Sequence, residues 1–277
     1  WEGESTRNTI IKLNTTGYCI TQTTDAPQVL LERISILGAT MAATFLRLNG
    51  GAMHYLTWRS VNFENLRCGF DMNSNIVYWM YADGVRVKDC LYGFRQPSGL
   101  EESTLRVSAQ NNIGAVYELT YTGLSGGSFA VGNTCTGLTS SEATTIEGVI
   151  ADTGTTGRLL VSHPKGTNGS PLTLGYSATE TISNGAGVTA TYASKLAARS
   201  CFLGDGGACT GITLLGMDCN VSGLEVHNSD INLIGGYMES YTSDIPVLKL
   251  VACTGFVSAS PVPNSYTDID DATYRAI

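Results

Sequence analysis

Two stretches of the sequence, Val61-Asn-Phe-Glu-Asn-Leu-Arg-Cys-Gly-Phe-Asp71 and Val85-Arg-Val-Lys-Asp-Cys-Leu-Tyr-Gly-Phe-Arg95, match each other at an offset of 24 residues. Apolar residues fall on apolar residues, and Gly69 falls on Gly93. Three pairs of residues with opposite charge also match at this offset, and these are Arg59 with Asp83, Glu64 with Lys88, and Asp71 with Arg95. In a stacked-coil solenoid, such residues lie on adjacent strands about 4.8 Å apart, where opposite charges attract. The match therefore predicts a β-solenoid.

Further repeats lie C-terminal to this pair. Ile212-Thr-Leu-Leu-Gly216 recurs as Ile231-Asn-Leu-Ile-Gly235 at an offset of 19. Leu105 and Val107 match the two valines that open the second stretch, at an offset of 20. Because the offset varies between 19 and 24, we expect coils joined by loops of unequal length.

The composition fits an all-β protein. Short runs that alternate between apolar and polar residues are separated by Gly, Asn, Asp and Ser, which indicates many short strands. Ala193-Ser-Lys-Leu-Ala-Ala-Arg199 is the one run with helical periodicity. We expect irregular insertions near residues 107–141 and 152–192, where Gly, Ser and Thr replace the solenoid pattern. The solenoid body is predicted to span 1–257, and 258–277 to form a tail that starts a trimer-forming segment.

Charge and cysteine content exclude several classes of protein. The net charge is −8 and the pI about 4.8, so the chain is not expected to bind nucleic acid. The most apolar stretch, 34–46, is shorter than the roughly 20 residues that a membrane helix needs, so we expect no membrane insertion. Eight cysteines without a CxxC motif predict buried, reduced thiols, with no metal and no cofactor.

A resemblance gives these patterns a family context. The run 211–240, with its ending Ile234-Gly-Gly-Tyr-Met-Glu239, resembles the late coils of bacteriophage tailspikes and capsule depolymerases, within the pectate-lyase-like superfamily. The opening Trp1-Glu-Gly-Glu-Ser-Thr-Arg-Asn-Thr-Ile-Ile-Lys-Leu13 is similar to an early coil of the same families. The resemblance implies a single-stranded right-handed parallel β-helix, a homotrimer in the virion tail, and a bacterial surface polysaccharide as ligand, such as capsule or O-antigen.

Polysaccharide hydrolysis requires two carboxylates near one glycosidic bond. At the offset of 19, Asp218 lies opposite Tyr237, and Glu239 projects from the same edge two residues later. A carboxylate pair beside an aromatic ring suits sugar binding and acid–base chemistry. Asp218 and Glu239 are therefore the predicted catalytic residues of an endo-glycosidase, with Tyr237, Glu225 and Asp230 as substrate-binding neighbours.

Aromatic rings form a second candidate surface, because their faces stack on sugar rings. Tyr78, Trp79 and Tyr81 are the densest aromatic run, and we predict that they bind substrate. Two other functions stay open. A receptor-binding spike without catalysis would share this fold. A monomeric secreted polysaccharide lyase would use Ser162-His-Pro-Lys165, which offers a base and a cation together.

Overall fold

The computed structural model describes residues 9–73, 76–96, 99–110, 115–152, 154–164, 173–204, 207, 209–239, 247–261, 267–269 and 275–276. Every regular element in these residues is a β-strand, which confirms the all-β prediction. The strands are numbered β1 to β24 along the chain. They form two parallel sheets and one closed antiparallel barrel.

The first parallel sheet, the front sheet, contains the longer strands. Its members are β1 (Ile10–Leu13), β3 (Val29–Gly38), β5 (Met53–Glu64), β7 (Val77–Lys88), β9 (Leu100–Glu101), β10 (Thr104–Gln110), β18 (Ile212–Asn220), β20 (Asp230–Glu239), β22 (Thr254–Pro261) and β24 (Arg275–Ala276).

The second parallel sheet, the back sheet, contains shorter strands. Its members are β2 (Tyr18–Gln22), β4 (Thr44–Leu48), β6 (Cys68–Asp71), β8 (Tyr92–Gln96), β17 (Arg199–Leu203), β19 (Gly223–His227), β21 (Leu248–Val251) and β23 (Thr267–Ile269). The chain alternates between the two sheets, so that each front strand and the back strand after it make one coil. About nine coils stack into a parallel β-solenoid.

The register of the strands confirms two of the three sequence repeats. Phe63 pairs with Val87 and Phe70 with Phe94, at the offset of 24. The strand at 212 pairs with the strand at 231 at the offset of 19. The predicted offset of 20 is wrong, because Val107 pairs with Val85 at an offset of 22. A slip of two residues keeps the same side chains inside and outside, so the alternation in the sequence does not distinguish the two registers.

The long front strands bend at one residue in the left-handed conformation. The bend recurs at Arg33 (φ 55°), Ser60 (φ 50°), Gly84 (φ 62°), Gly216 (φ 55°) and Gly235 (φ 63°). Glycine adopts this conformation without steric cost. The bend divides the outward surface of the front sheet into two parts, and the outward side chains after the bend form the surface that we call the groove facet.

Apolar side chains from both sheets fill the interior of the coils. Trp58 is fully buried, and its ring centroid lies 5.6 Å from Phe63, 5.0 Å from Phe70 and 5.6 Å from Phe94. Each such buried side chain stabilises the fold by about 1.5–3 kcal/mol. The apolar residues that match in the sequence repeat are the side chains that form this core.

A six-stranded barrel is inserted into the solenoid between β10 and β17. Its strands are β11 (Ala115–Ser125), β12 (Thr134–Gly137), β13 (Ala143–Asp152), β14 (Thr156–Ser162), β15 (Thr181–Ser183) and β16 (Thr189–Ala197). Both segments that were predicted as irregular insertions contribute strands to this one barrel. The run 193–199 has helical periodicity in the sequence but does not form a helix. It lies in β16 and at the start of β17. Antiparallel pairing on both sides of β16 satisfies its backbone as a strand.

The barrel packs against the turns that lead from the front sheet to the back sheet. Leu160 belongs to an apolar cluster with Met41, Cys68 and Tyr92 of the solenoid. Beside this cluster, Arg67 donates a hydrogen bond to Glu118 of the barrel at 3.2 Å, and both side chains are buried. The barrel is therefore anchored by apolar contacts and by a buried ion pair.

The ends of the chain differ from the expected boundary. Strands β22, β23 and β24 continue the two sheets beyond residue 257, where the solenoid was expected to end. The opening residues 1–8, on which part of the resemblance rests, lie outside the described residues. No helix in the described part of the chain is long and apolar enough to cross a bilayer.

All eight cysteines are free thiols, and seven of them are buried. Burial raises the pKa of Cys90 and of Cys219 to about 12. These thiols stay protonated at neutral pH and act as small apolar side chains. The predicted burial is confirmed for seven of the eight cysteines, and Cys19 is exposed.

Candidate functional site

The groove facet carries a continuous depression along the solenoid, which we call the groove. It consists of two adjoining cavities of about 420 Å³ and 390 Å³ that share Arg86, Ser108 and Gln110. The polar residues that line it are Ser35, Asn62, Glu64, Arg86, Lys88, Ser108, Gln110, Asp218, Asn220 and Tyr237. Strands β1 to β20 of the front sheet supply these side chains, so the groove is long enough to follow a linear polymer across several coils.

Of the two predicted catalytic residues, Asp218 lines one end of the groove, and Glu239 lies beside that end, in contact with the lining residues Asn220 and Tyr237. Asp218 pairs with Tyr237, and Asn220 pairs with Glu239, on the neighbouring strands β18 and β20. The pairing agrees with the predicted offset of 19. Asp218 and Glu239 are thus diagonal neighbours, whose backbone positions are about 7–8 Å apart. Inverting glycosidases hold their two carboxyl groups about 6.5–9.5 Å apart, with room for a water molecule between them.

Hydrogen bonds orient both carboxylates. Ser108 Oγ, on the neighbouring strand β10, donates a hydrogen bond to Asp218 Oδ2 at 3.0 Å. Glu239 Oε2 accepts from Tyr237 OH at 3.0 Å and from Asn220 Nδ2 at 3.1 Å. The hydrogen bond to Glu239, with the negative charges of Glu239 and Asp218, raises the pKa of Tyr237, which keeps its hydroxyl a donor at neutral pH. Two donors on one oxygen hold the Glu239 carboxylate in a fixed orientation.

Exposed aromatic rings form a ladder at the start of the front strands. Tyr55 stacks on Trp79 with ring centroids 4.8 Å apart, and His54 stacks on Tyr78 at 5.0 Å. We call these four residues the aromatic ladder. Tyr55 is 56% exposed and Trp79 40% exposed, so ring faces and edges of both are open to solvent. The sequence analysis missed Tyr55, although the offset of 24 places it opposite Trp79.

The backbone of the ladder is strained in a regular column. Tyr55 (φ 54°), Trp79 (φ 56°) and Glu102 (φ 46°) all have the left-handed conformation, which bulky side chains rarely adopt. Each such residue costs about 1–3 kcal/mol. A hydrogen bond of 2.5 Å from Trp79 Nε1 to Glu102 Oε2 joins two of them. Strain that is repeated on neighbouring strands and directs aromatic rings outward suggests a role in binding.

Three other predicted residues lie apart from the catalytic pair. Tyr81 is exposed on β7, two residues after Trp79 on the same strand. Asp230 is exposed at the start of β20, at the opposite end of that strand from Glu239, and accepts a hydrogen bond of 3.4 Å from Thr254. Glu225 is buried on the back sheet, and Asp230 lies at the far end of β20. Neither residue is therefore placed to contact a sugar that lies at Asp218.

Glu225 is the centre of a buried cluster of charges. Arg199 Nε and His227 Nε2 each lie 2.7 Å from its carboxylate, and Lys249 Nζ lies 3.3 Å away. Burial alone would raise the pKa of Glu225, but the charge and hydrogen bond of Arg199, with the contacts of His227 and Lys249, lower this pKa to about 2. The cluster therefore stabilises the stacking of β17, β19 and β21.

The pH dependence of stability should report this cluster. The pKa of Glu225 in the folded chain is below its ordinary value of 4.5, so the unfolded chain takes up the proton first as the pH falls. We expect stability to be fully present above about pH 5 and to fall by about 3 kcal/mol as the pH drops from 4.5 toward 2. Urea unfolding at pH 6 and pH 3 measures this loss.

The variant Glu225→Gln supplies the comparison for this prediction. It should be less stable at pH 6, and its stability should fall less between pH 6 and pH 3 than that of the wild type. Equal losses in the two proteins would show that Glu225 does not carry this part of the pH dependence.

Candidates for the alternative lyase chemistry lie elsewhere. His163 is buried in the barrel, with its ring edge-on to Tyr117 at 5.4 Å between centroids. Lys165 lies outside the described residues. Among the residues that the structure describes, no group of three or more His, Cys, Asp or Glu side chains could hold a metal ion.

Comparison with known proteins adds no relative. No family model matches the chain, and no curated protein is similar to it. The fold and the groove define the protein as a parallel β-solenoid with an inserted β-barrel and a polar groove along one facet.

Proposed function

We propose that this protein is the body of a tailspike-like virion protein that binds a bacterial surface polysaccharide, capsule or O-antigen, and hydrolyses it. The observation that carries the proposal is that Asp218 and Tyr237 line one end of a long polar groove, with Glu239 hydrogen-bonded to Tyr237 beside it. A linear polysaccharide needs a binding surface of this length. The catalytic pair would then act on one of its internal bonds.

The two carboxylates suit different roles in hydrolysis. Glu239 accepts two hydrogen bonds on one oxygen, which leaves its second oxygen open to act as the general base. It would take a proton from the water molecule that attacks the anomeric carbon. Asp218 accepts one hydrogen bond, and in its protonated form it would give its proton to the leaving glycosidic oxygen. The C–O bond breaks as the new bond to water oxygen forms, and the configuration at the anomeric carbon inverts.

The flat part of the front sheet before the bend supports assembly of several copies. Leu30, Tyr81, Leu215 and Ile234 are each about 40% exposed on this surface. A second copy of the chain would remove these apolar side chains from water. We therefore retain the homotrimer in the proposal.

Native mass and polymer length test this proposal together. Light scattering should give three times 29.3 kDa, about 88 kDa. Size-exclusion chromatography of purified capsular and O-antigen polysaccharides should show shortening of at least one polymer after incubation with the protein. A clean monomer that shortens none of them would overturn the proposal.

A spike that binds without cleaving is the second candidate. It is favoured by the hydrogen bonds between Asp218 and Ser108 and between Glu239 and Asn220. Such bonds between neighbouring strands also occur in purely structural ladders. Retained binding with unchanged polymer length would support this second function.

The aromatic ladder should contribute to polysaccharide affinity. We expect Trp79→Ala to weaken binding about tenfold, because it removes a ring face that stacks on a sugar and leaves Tyr55 without its partner. Titration by isothermal calorimetry measures this change. Tyr18→Ala is the matched control, because Tyr18 is an equally exposed aromatic residue on the back sheet, in contact with Arg47. Equal effects of the two variants would argue against the ladder as a sugar-binding surface.

A further inference from the structure

Basic residues on the central coils follow a pairing rule with one exception. Arg59 lies opposite Glu32 and Asp83, and Arg106 lies 3.5 Å from Asp83. Lys88 and Arg95 also contact the carboxylates opposite them, Glu64 at 2.6 Å and Asp71 at 3.0 Å. Stacked opposite charges stabilise a parallel sheet.

Arg86 is the exception among the basic residues of β5, β7, β8 and β10. Its neighbours in register are Asn62 on β5 and Ser108 on β10, and both are neutral. Arg86 is exposed and makes no ion pair with any residue that the structure describes. Arg59 also makes no ion pair with any described residue, but Glu32 and Asp83 lie on either side of it in register. Arg86 has only neutral neighbours in register, so its guanidinium is available to an anion from outside the chain.

Arg86 also occupies a distinctive place in the groove. It lines both cavities, at the point where they join. Ser108 and then Asp218 follow it on the next two strands, so Asp218 is about 9.6 Å away along the solenoid. The groove thus has an unpaired positive charge at its centre and the carboxylate of Asp218 at one end, with Glu239 beside it.

We infer that the polysaccharide is acidic and that Arg86 binds its anionic substituent. This inference rests on the proposed function and names its substrate class. The guanidinium presents paired N–H donors that match a carboxylate or a phosphate group on a sugar. Asp218 and Glu239 repel anions, so the charged sugar lies at Arg86 and a neutral linkage lies across the carboxylate pair.

The charge of the whole chain gives Arg86 additional importance. The net charge is −8, and residues 141–277 carry −7 of it. An anionic polymer is repelled by this half of the protein. A free cation in the groove offsets that repulsion locally and sets which sugar of the repeat unit lies there.

A panel of bacterial capsular and O-antigen polysaccharides, sorted into neutral, uronate-bearing and phosphate-bearing polymers, provides the test. The polymer that binds most tightly is titrated in its native form, after chemical reduction of its carboxyl groups, and after removal of phosphate. Each form is titrated against the wild type, Arg86→Gln and the control Arg106→Gln. Arg106 is an exposed arginine on the neighbouring strand, outside the groove.

We expect the wild type to bind acidic polymers and to lose affinity about tenfold when the anionic group is removed. Arg86→Gln should bind the native polymer about tenfold more weakly and should be indifferent to the treatment, whereas Arg106→Gln should behave like the wild type. The treatment after which the wild type and Arg86→Gln bind with equal affinity shows whether Arg86 binds a carboxylate or a phosphate group.

Two results would overturn the inference in distinguishable ways. Tight binding of neutral polymers, or an Arg86→Gln variant that keeps its preference for the anionic form, would refute the role of Arg86 and leave the proposed function intact. Failure of the wild type to bind any polymer in the panel would refute the proposed function and the inference with it.

Discussion

Replacing Asp218 with Asn, or Glu239 with Gln, is expected to lower the rate of polysaccharide cleavage by about 10²–10⁴-fold, because each change removes one partner of the general acid–base pair. Each amide keeps an oxygen that can accept the existing hydrogen bonds from Ser108 or from Tyr237 and Asn220. Binding of the polymer, folding and oligomeric state should therefore change little. Product release from a fixed amount of polysaccharide, measured as new reducing ends, gives the rate.

Chemically matched controls separate catalysis from a general change in charge. Asp83→Asn and Glu32→Gln make the same replacements on partly exposed residues of β7 and β3 outside the groove. Both should cleave at the wild-type rate. If Asp218→Asn and Glu239→Gln also retain full activity, these residues are not the catalytic pair, and the groove would be a binding surface alone.

The second large effect concerns the attachment of the barrel. Glu118→Gln should destabilise the protein by about 3–5 kcal/mol, because it leaves the charge of Arg67 buried without compensation. The side chains of Arg67 and Glu118 are only 10% and 8% exposed, and their atoms approach to 3.2 Å. Arg158 lies 3.0 Å from the other oxygen of Glu118 and loses its partner too. Urea unfolding of the full chain measures the loss.

A shorter but exposed ion pair supplies the control for Glu118. Lys88 and Glu64 are separated by 2.6 Å, yet both are about 45% exposed. Glu64→Gln should therefore cost less than about 1 kcal/mol. Replacing both buried partners, as Arg67→Met with Glu118→Leu, should recover most of the stability. Equal losses from Glu118→Gln and Glu64→Gln would contradict the assignment of the energy to burial.

The solenoid could be predicted because its neighbours in space are regularly spaced in sequence. The charge matches of Glu64 with Lys88 and Asp71 with Arg95 are real contacts in the structure. The same regularity in the sequence places Asp218 opposite Tyr237, and the two residues are paired in the structure. A constant offset in the sequence gives the register of neighbouring strands. The pairing of Asp218 with Tyr237 could therefore be predicted from the sequence.

The barrel and the role of Arg86 did not follow, for physical reasons. The six strands of the barrel pair in antiparallel fashion without a repeat, so no offset in the sequence reveals their partners. The register of β10 hides a two-residue slip, because alternation is unchanged by it. Ser108 therefore could not be placed beside Arg86, and the groove that these residues share was not visible in the sequence.

Because the barrel is inserted between β10 and β17, the two parts of the groove are expected to form at different times during folding. Ser108 and Asp218 are in hydrogen-bond contact although 110 residues separate them in the chain. As the chain is synthesised, β1 to β10 can stack on their immediate predecessors, whereas β18 must find β10 after the whole barrel has emerged. Closing that loop carries an entropic cost, and contacts of such high sequence separation slow folding. The part of the groove that contains Arg86 and Lys88 is therefore expected to form early, and the part that contains Asp218 is expected to form late. A refolding experiment should show the groove completed in a slow final phase.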